Sequence, residues 1–162
     1  MYRKLLLMAI ATFAVNAQTT TPTSVTRNIN LPVIGVAPTE TLQVNLQNLA
    51  SASSSGTAAS CAGSVSFFGS TGTIIGSATT FTIASGVINP VAAPFSKLGS
   101  GTTRVVVRPQ IELTTTSGTP CDLTYTVETY DTATGVTHVF IGGGAVSFFP
   151  GPIAGGGPGG GR

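Results

Sequence analysis

The stretch from 103 to 131 constrains the fold of this chain more than any other. Across 103–113, Val105, Val107, Pro109, Ile111 and Leu113 alternate with Arg104, Arg108, Gln110 and Glu112. A turn-like Thr-Ser-Gly-Thr-Pro follows at 116–120. The alternation then resumes with Cys121, Leu123, Tyr125 and Val127 set against Asp122, Thr124, Thr126 and Glu128. Side chains alternate across a strand, so this reads as two antiparallel neighbours, each with one dry and one wet face.

The rest of the chain supplies strands of the same kind. Residues 25–36 carry Val25, Ile29 and Leu31 between polar residues, with Arg27 breaking the apolar side as an edge strand would allow. Residues 41–46 place Leu42, Val44 and Leu46 inward. Leu49 falls out of phase, which predicts a bulge or strand end near Asn48. Residues 50–60 read as a loop and 61–69 as a strand. A hairpin-type turn at 69–72 leads to 73–76, and 79–84 form a further strand with Phe81 and Ile83 on one face. Residues 87–98 are a proline-interrupted connection holding one short edge strand. Residues 131–135 form a turn in which Asp131 bonds backbone and Gly135 supplies positive φ. Residues 136–141 are the next strand. No segment beyond the N-terminus has helical apolar spacing with caps at both ends. The fold class predicted is all-β: an antiparallel sandwich of about seven or eight strands.

Residues 1–17 read as a secretory signal peptide. Arg3 and Lys4 precede a short apolar run, and Val15-Asn-Ala17 offers a small-residue cleavage site. Residues 18–24 are a Thr/Pro-rich extended leader, 25–149 the sandwich domain, and 150–162 a Gly/Pro-rich disordered tail. The chain has seven basic and five acidic residues. Two of the basic ones leave with the signal, so the mature chain has five of each and no net charge. That gives no ground for a nucleic-acid partner. No later apolar run is long enough to span a bilayer.

Two cysteines in an exported chain read as one disulfide. Cys61 shares a face with Val65 and Phe67, and Cys121 with Leu123 and Tyr125, so both point into the core, as a bridge between packed sheets requires. Closing a loop of about 60 residues is worth roughly 4 kcal/mol in the chain-entropy model.

On strand count, alternation and the Cys61/Cys121 separation, residues 25–149 resemble the immunoglobulin-like or fibronectin-like sandwiches exported by bacteria. Two features depart from antibody-type domains. The chain has no Trp, and Thr119 stands where those domains carry a Tyr two residues before the second Cys. The resemblance therefore implies architecture and no ligand.

His138, the only histidine, reads as an exposed strand residue, and no G-x-S-x-G accompanies it. Glu112 and Glu128 could share the wet face of the central pair, where Arg104 and Arg108 would form a cross-strand ladder with them. Alternatively, Arg104, Arg108 and Gln110 make a surface patch for an anion or a sugar. No catalytic residue, metal or cofactor is expected. Three readings follow, in order: a secreted non-enzymatic structural or binding module; a pilin-like fibre subunit donating residues 25–36 as a strand; and a secreted hydrolase. The partners these imply are other surface proteins, glycans or copies of the chain itself.

Overall fold

The computed structural model describes residues 24–53 and 56–148. The residues read as a signal peptide, all of those read as the leader but Ser24, and Phe149 with the C-terminal residues after it lie outside the described residues. The elements are β1 (Ser24–Asn30), β2 (Ile34–Val36), β3 (Glu40–Asn48), β4 (Ser60–Phe68), β5 (Ile74–Ala84), β6 (Ile88–Pro94), α1 (Phe95–Leu98), β7 (Val105–Thr116), β8 (Cys121–Asp131), β9 (Thr137–Ile141) and β10 (Ala145–Phe148).

They form two antiparallel sheets packed face to face. The first runs β1-β7-β4-β5, with β2 pairing β7 beyond the end of β1; the second runs β10-β8-β3-β6, with β9 pairing β8 beyond the end of β10. The edge beside β7 is one lane broken at Leu31-Pro32-Val33, where proline has no N–H to pair. The edge beside β8 is likewise one lane, broken at Gly142-Gly143-Gly144. A Cβ on Gly143 would collide with the Tyr125 carbonyl, so only glycine lets the chain re-enter pairing there as β10. Among the described residues, ten strand segments thus fill four lanes in each sheet.

The period-two pattern maps onto this packing. Leu42, Val44 and Leu46 of β3 face Val107, Ile111 and Leu113 of β7 across the core, all fully buried, with Val65, Ile83, Leu123 and Val127 around them. Each such side chain contributes about 1.5–3 kcal/mol relative to exposure. β3 ends at Asn48, and Leu49 is exposed, as its phase predicts.

The central expectation needs one correction. β7 and β8 are not neighbours in one sheet. β7 pairs β4 and the β1/β2 lane, while β8 pairs β3 and the β9/β10 lane. The turn between them carries the chain from one sheet to the other.

Two smaller differences follow from local chemistry. The two strands expected at 73–76 and 79–84 are a single β5, kept continuous by an irregularity where Gly76 adopts φ 70° opposite 65–67 of β4. The connection after β6 contains one helical turn, α1, whose Phe95 and Leu98 are buried at the rim of the core. Pro94 ends the strand pairing, and the i, i+3 spacing of two apolar residues places both on the inner side.

Cys61 of β4 and Cys121 of β8 are bonded, with Cα atoms 5.1 Å apart and a sequence separation of 60. The bridge ties one sheet to the other. Beside it, fully buried Asn48 makes a second tie: its Nδ2 donates to the Ile83 carbonyl of β5 at 3.1 Å. Its Oδ1 accepts from the N–H groups of Ala50 at 3.0 Å and Asp122 at 3.2 Å. Ile83 pairs directly with Cys61, and Asp122 follows Cys121, so the two ties form one inter-sheet clamp.

Candidate binding surface

β7 is the third strand counted from β5, an edge strand among the described residues, and has strands on both sides, which makes it a stiff support. Its outward residues are Val106, Arg108, Gln110 and Glu112. Arg104 lies just before it with the same parity.

Arg108 pairs in register with Phe68 of β4, and its guanidinium lies over the Phe68 ring, 5.0 Å from the centroid. Phe67 and Phe68 are consecutive, so one must face out. Phe67 is the buried one. Cation–π contact of this kind contributes about 0.5–1 kcal/mol at an exposed site and holds the guanidinium in one plane. Beside the pair is an open concavity of about 350 Å³ lined by Val33, Gly69, Ser70, Gly72, Val106 and Arg108. Val33 and Val106 are exposed apolar residues on its wall.

Gln110 donates from Nε2 to Asn30 Oδ1 at 2.8 Å, which fixes its amide at the edge of the same face. Arg104 reaches the other way. Its guanidinium donates to the Gly35 carbonyl at 2.9 Å and lies across Gly35, where a Cβ would clash with it. The three residues named from the sequence therefore share one outer face. Arg108 addresses the concavity, Gln110 flanks it, and Arg104 covers the β2 backbone. Phe68 completes the group, and only strand register reveals it.

The Arg–Glu ladder is not formed, because the strands that would carry it lie in different sheets. Glu128 instead accepts from Gln43 Nε2 at 3.0 Å and Asn45 Nδ2 at 2.8 Å on the outer face of the second sheet. Glu112 lies on the outer face of the first. The sandwich core separates the two carboxylates, so they do not face one cleft.

His138 has a partner that the sequence did not disclose. Where β8 and β9 slip register between Thr129 and Tyr130, His138 is the unpaired extra residue, and the bulge aims its ring at the start of β3. There Nδ1 lies 2.7 Å from Oε1 of Glu40, a residue 7% exposed. Glu40 Oε2 also accepts from the Ala37 N–H at 2.7 Å. Burial pushes the Glu40 pKa up, but the Ala37 hydrogen bond, the His138 contact and the Arg104 charge together hold it below 4.5. A carboxylate with a depressed folded-state pKa stabilises the fold fully above its unfolded value and loses that contribution as pH falls through the folded value. Wild-type protein should therefore lose more stability between pH 7 and pH 3 than Glu40→Gln protein, as read by urea denaturation at both pH values. Equal losses would remove Glu40 from the acid limb.

Asp131 is occupied by its own turn. Its Oδ1 accepts from Thr134 N–H at 2.8 Å, Ala133 N–H at 3.0 Å and Thr134 Oγ1 at 2.9 Å, and these bonds, the Thr134 N–H first, lower its pKa. Among the described residues, no three His, Cys, Asp or Glu side chains are grouped to hold a metal ion, and no helix is long and apolar enough to cross a membrane. No protein-family model, curated protein or solved structure matches this chain.

Proposed function

We propose that this chain is a secreted, non-enzymatic binding module whose contact surface is the outer face of the first sheet, and that the surface takes an acidic saccharide. The observation that carries this reading is the Arg108 guanidinium laid over Phe68 beside an open concavity with aliphatic walls. A guanidinium in that position keeps its N–H fork available for a carboxylate, which it binds in bidentate geometry. The apolar C–H faces of a pyranose ring suit Val33 and Val106, and Gln110 adds an amide at the rim. Placement on an inner strand lowers the cost of ordering the site on binding. The inter-sheet disulfide is consistent with an oxidising, extracytoplasmic setting.

Tetragalacturonate and its neutral galactose counterpart, titrated calorimetrically into oxidised protein, test the reading. The uronate should bind and the neutral sugar should bind more weakly. Arg108→Ala should lose about tenfold or more in affinity, since a hydrogen bond to a charged group is worth about 1.5–3 kcal/mol and 1.4 kcal/mol is tenfold. Arg108→Lys should not restore it, because an ammonium lacks the planar fork. The same mixtures should release no reducing ends. Uronate binding unchanged in Arg108→Ala, or hydrolysis of the oligosaccharide, would sink the proposal.

A further inference from the structure

Among the described residues the sandwich has four sheet edges, and three carry features that discourage pairing with another chain. The β1/β2 lane is broken by Pro32 and carries Arg27. β6 contains Pro90 and ends at Pro94. The β9/β10 lane is two short strands separated by three glycines and bulged at His138. Prolines, charges, bulges and short strands are the usual protections of exposed edges.

β5 has none of these in its second half. It is 11 residues long, reads IIGSATTFTIA, and contains no proline and no charge. β4 pairs one side of it, and among the described residues no strand pairs the other. From 79 to 84 its pairing with β4 is regular. Phe81 and Ile83 point into the core, while Thr80, Thr82 and Ala84 face outward.

We propose that β5 pairs antiparallel with β5 of a second copy of this chain, joining two first sheets across a two-fold axis. Such a joint sets the strand against its own reversed sequence, so a charged edge would bring like charges together. β5 brings none. Its outward threonines instead meet as Thr–Thr neighbours, a favourable cross-strand combination. The bend at Gly76 limits the joint to 79–84. Lys97, which lines the concavity beside 75–79, is then carried to opposite ends of the joint in the two copies. A two-fold joint closes on itself, so the product is a dimer and not a filament. Its small area makes it weak and concentration-dependent. It leaves Phe68 and Arg108, one and two strands in from β5 respectively, open on both copies, and a dimer would therefore present two contact surfaces. The inference does not depend on what that surface binds.

Sedimentation equilibrium on the oxidised mature chain from about 10 μM to 1 mM, with hydrogen exchange at both ends of that range, tests the joint. A monomer–dimer equilibrium is expected, with β5 amides exchanging more slowly at high concentration. The double variant Thr80→Lys/Thr82→Lys changes two exposed positions. It should associate about tenfold or more weakly with an unchanged melting temperature. Four outcomes would overturn the proposal: a monomer throughout the range; an open-ended polymer; a dimer indifferent to the lysines; or β5 protection that is independent of concentration and disappears when 18–23 or 149–162 is deleted. The last would mean that the chain's own segment occupies the edge. The exchange measurement on unaltered protein stands even if the lysine variant folds poorly.

Discussion

Replacing Cys61 and Cys121 together by alanine should lower the unfolding free energy by about 4 kcal/mol. The bridge closes a loop with a sequence separation of 60, and it does so between sheets otherwise held together mainly by side-chain packing and the Asn48–Ile83 hydrogen bond. No backbone hydrogen-bond ladder crosses from β4 to β8, so the bridge restricts an unfolded chain that local structure would leave free. Urea denaturation of the double variant against oxidised wild type measures the difference. A change below about 1 kcal/mol would place the inter-sheet stability elsewhere.

Asn48→Ala should cost about 3 kcal/mol, nearly as much as the bridge. Asn48 has no exposed surface and satisfies three backbone groups at once: the Ile83 carbonyl, the Ala50 N–H and the Asp122 N–H. Alanine leaves both N–H groups without that acceptor, the Ala50 N–H in a buried position and the Asp122 N–H in a partly buried one, and an orphaned buried group costs about 1–3 kcal/mol. Asn48→Asp separates polarity from shape. It keeps the acceptor for Ala50 and Asp122 but turns a donor into an acceptor facing the Ile83 carbonyl, so it too should destabilise. Because Asn48 and the disulfide grip the same corner, the triple variant should lose less than the sum of the separate losses. Additive losses would mean two independent ties.

Much of the fold was legible because a half-buried strand writes its orientation into alternate residues. The alternation placed Leu42, Val44, Leu46, Val107, Ile111 and Leu113 inward, and all six are fully buried. The parity of Cys61 and Cys121 pointed both into the core, where they are bonded. Alternation does not say which strand pairs which. β7 and β8 each show a clean dry face, and that signal is the same for a hairpin as for a crossing between sheets. The Arg–Glu ladder followed from the hairpin assumption and failed with it.

Contacts between remote positions were hidden for the same reason. Glu40 meets His138 only because a bulge in β9 re-aims the ring, and a bulge of one residue leaves no mark on composition. Asn48 looked like a strand end. Its position was right, and its role depends on Ile83 and Asp122 arriving from two other strands. Phe68 had a faint signal in the Phe67-Phe68 pair, whose outward member needs a partner. Arg108 became that partner through the β4–β7 register, which the sequence does not print.

Chemical-shift mapping of isotopically labelled oxidised protein titrated with tetragalacturonate tests the central claim most directly. The account predicts saturable shifts confined to the outer face of the first sheet, largest at Phe68, Val106, Arg108 and Gln110, with the Arg108 side-chain Nε–H among them. An unperturbed spectrum, or shifts centred on Gln43, Asn45 and Glu128 of the opposite sheet, would contradict it.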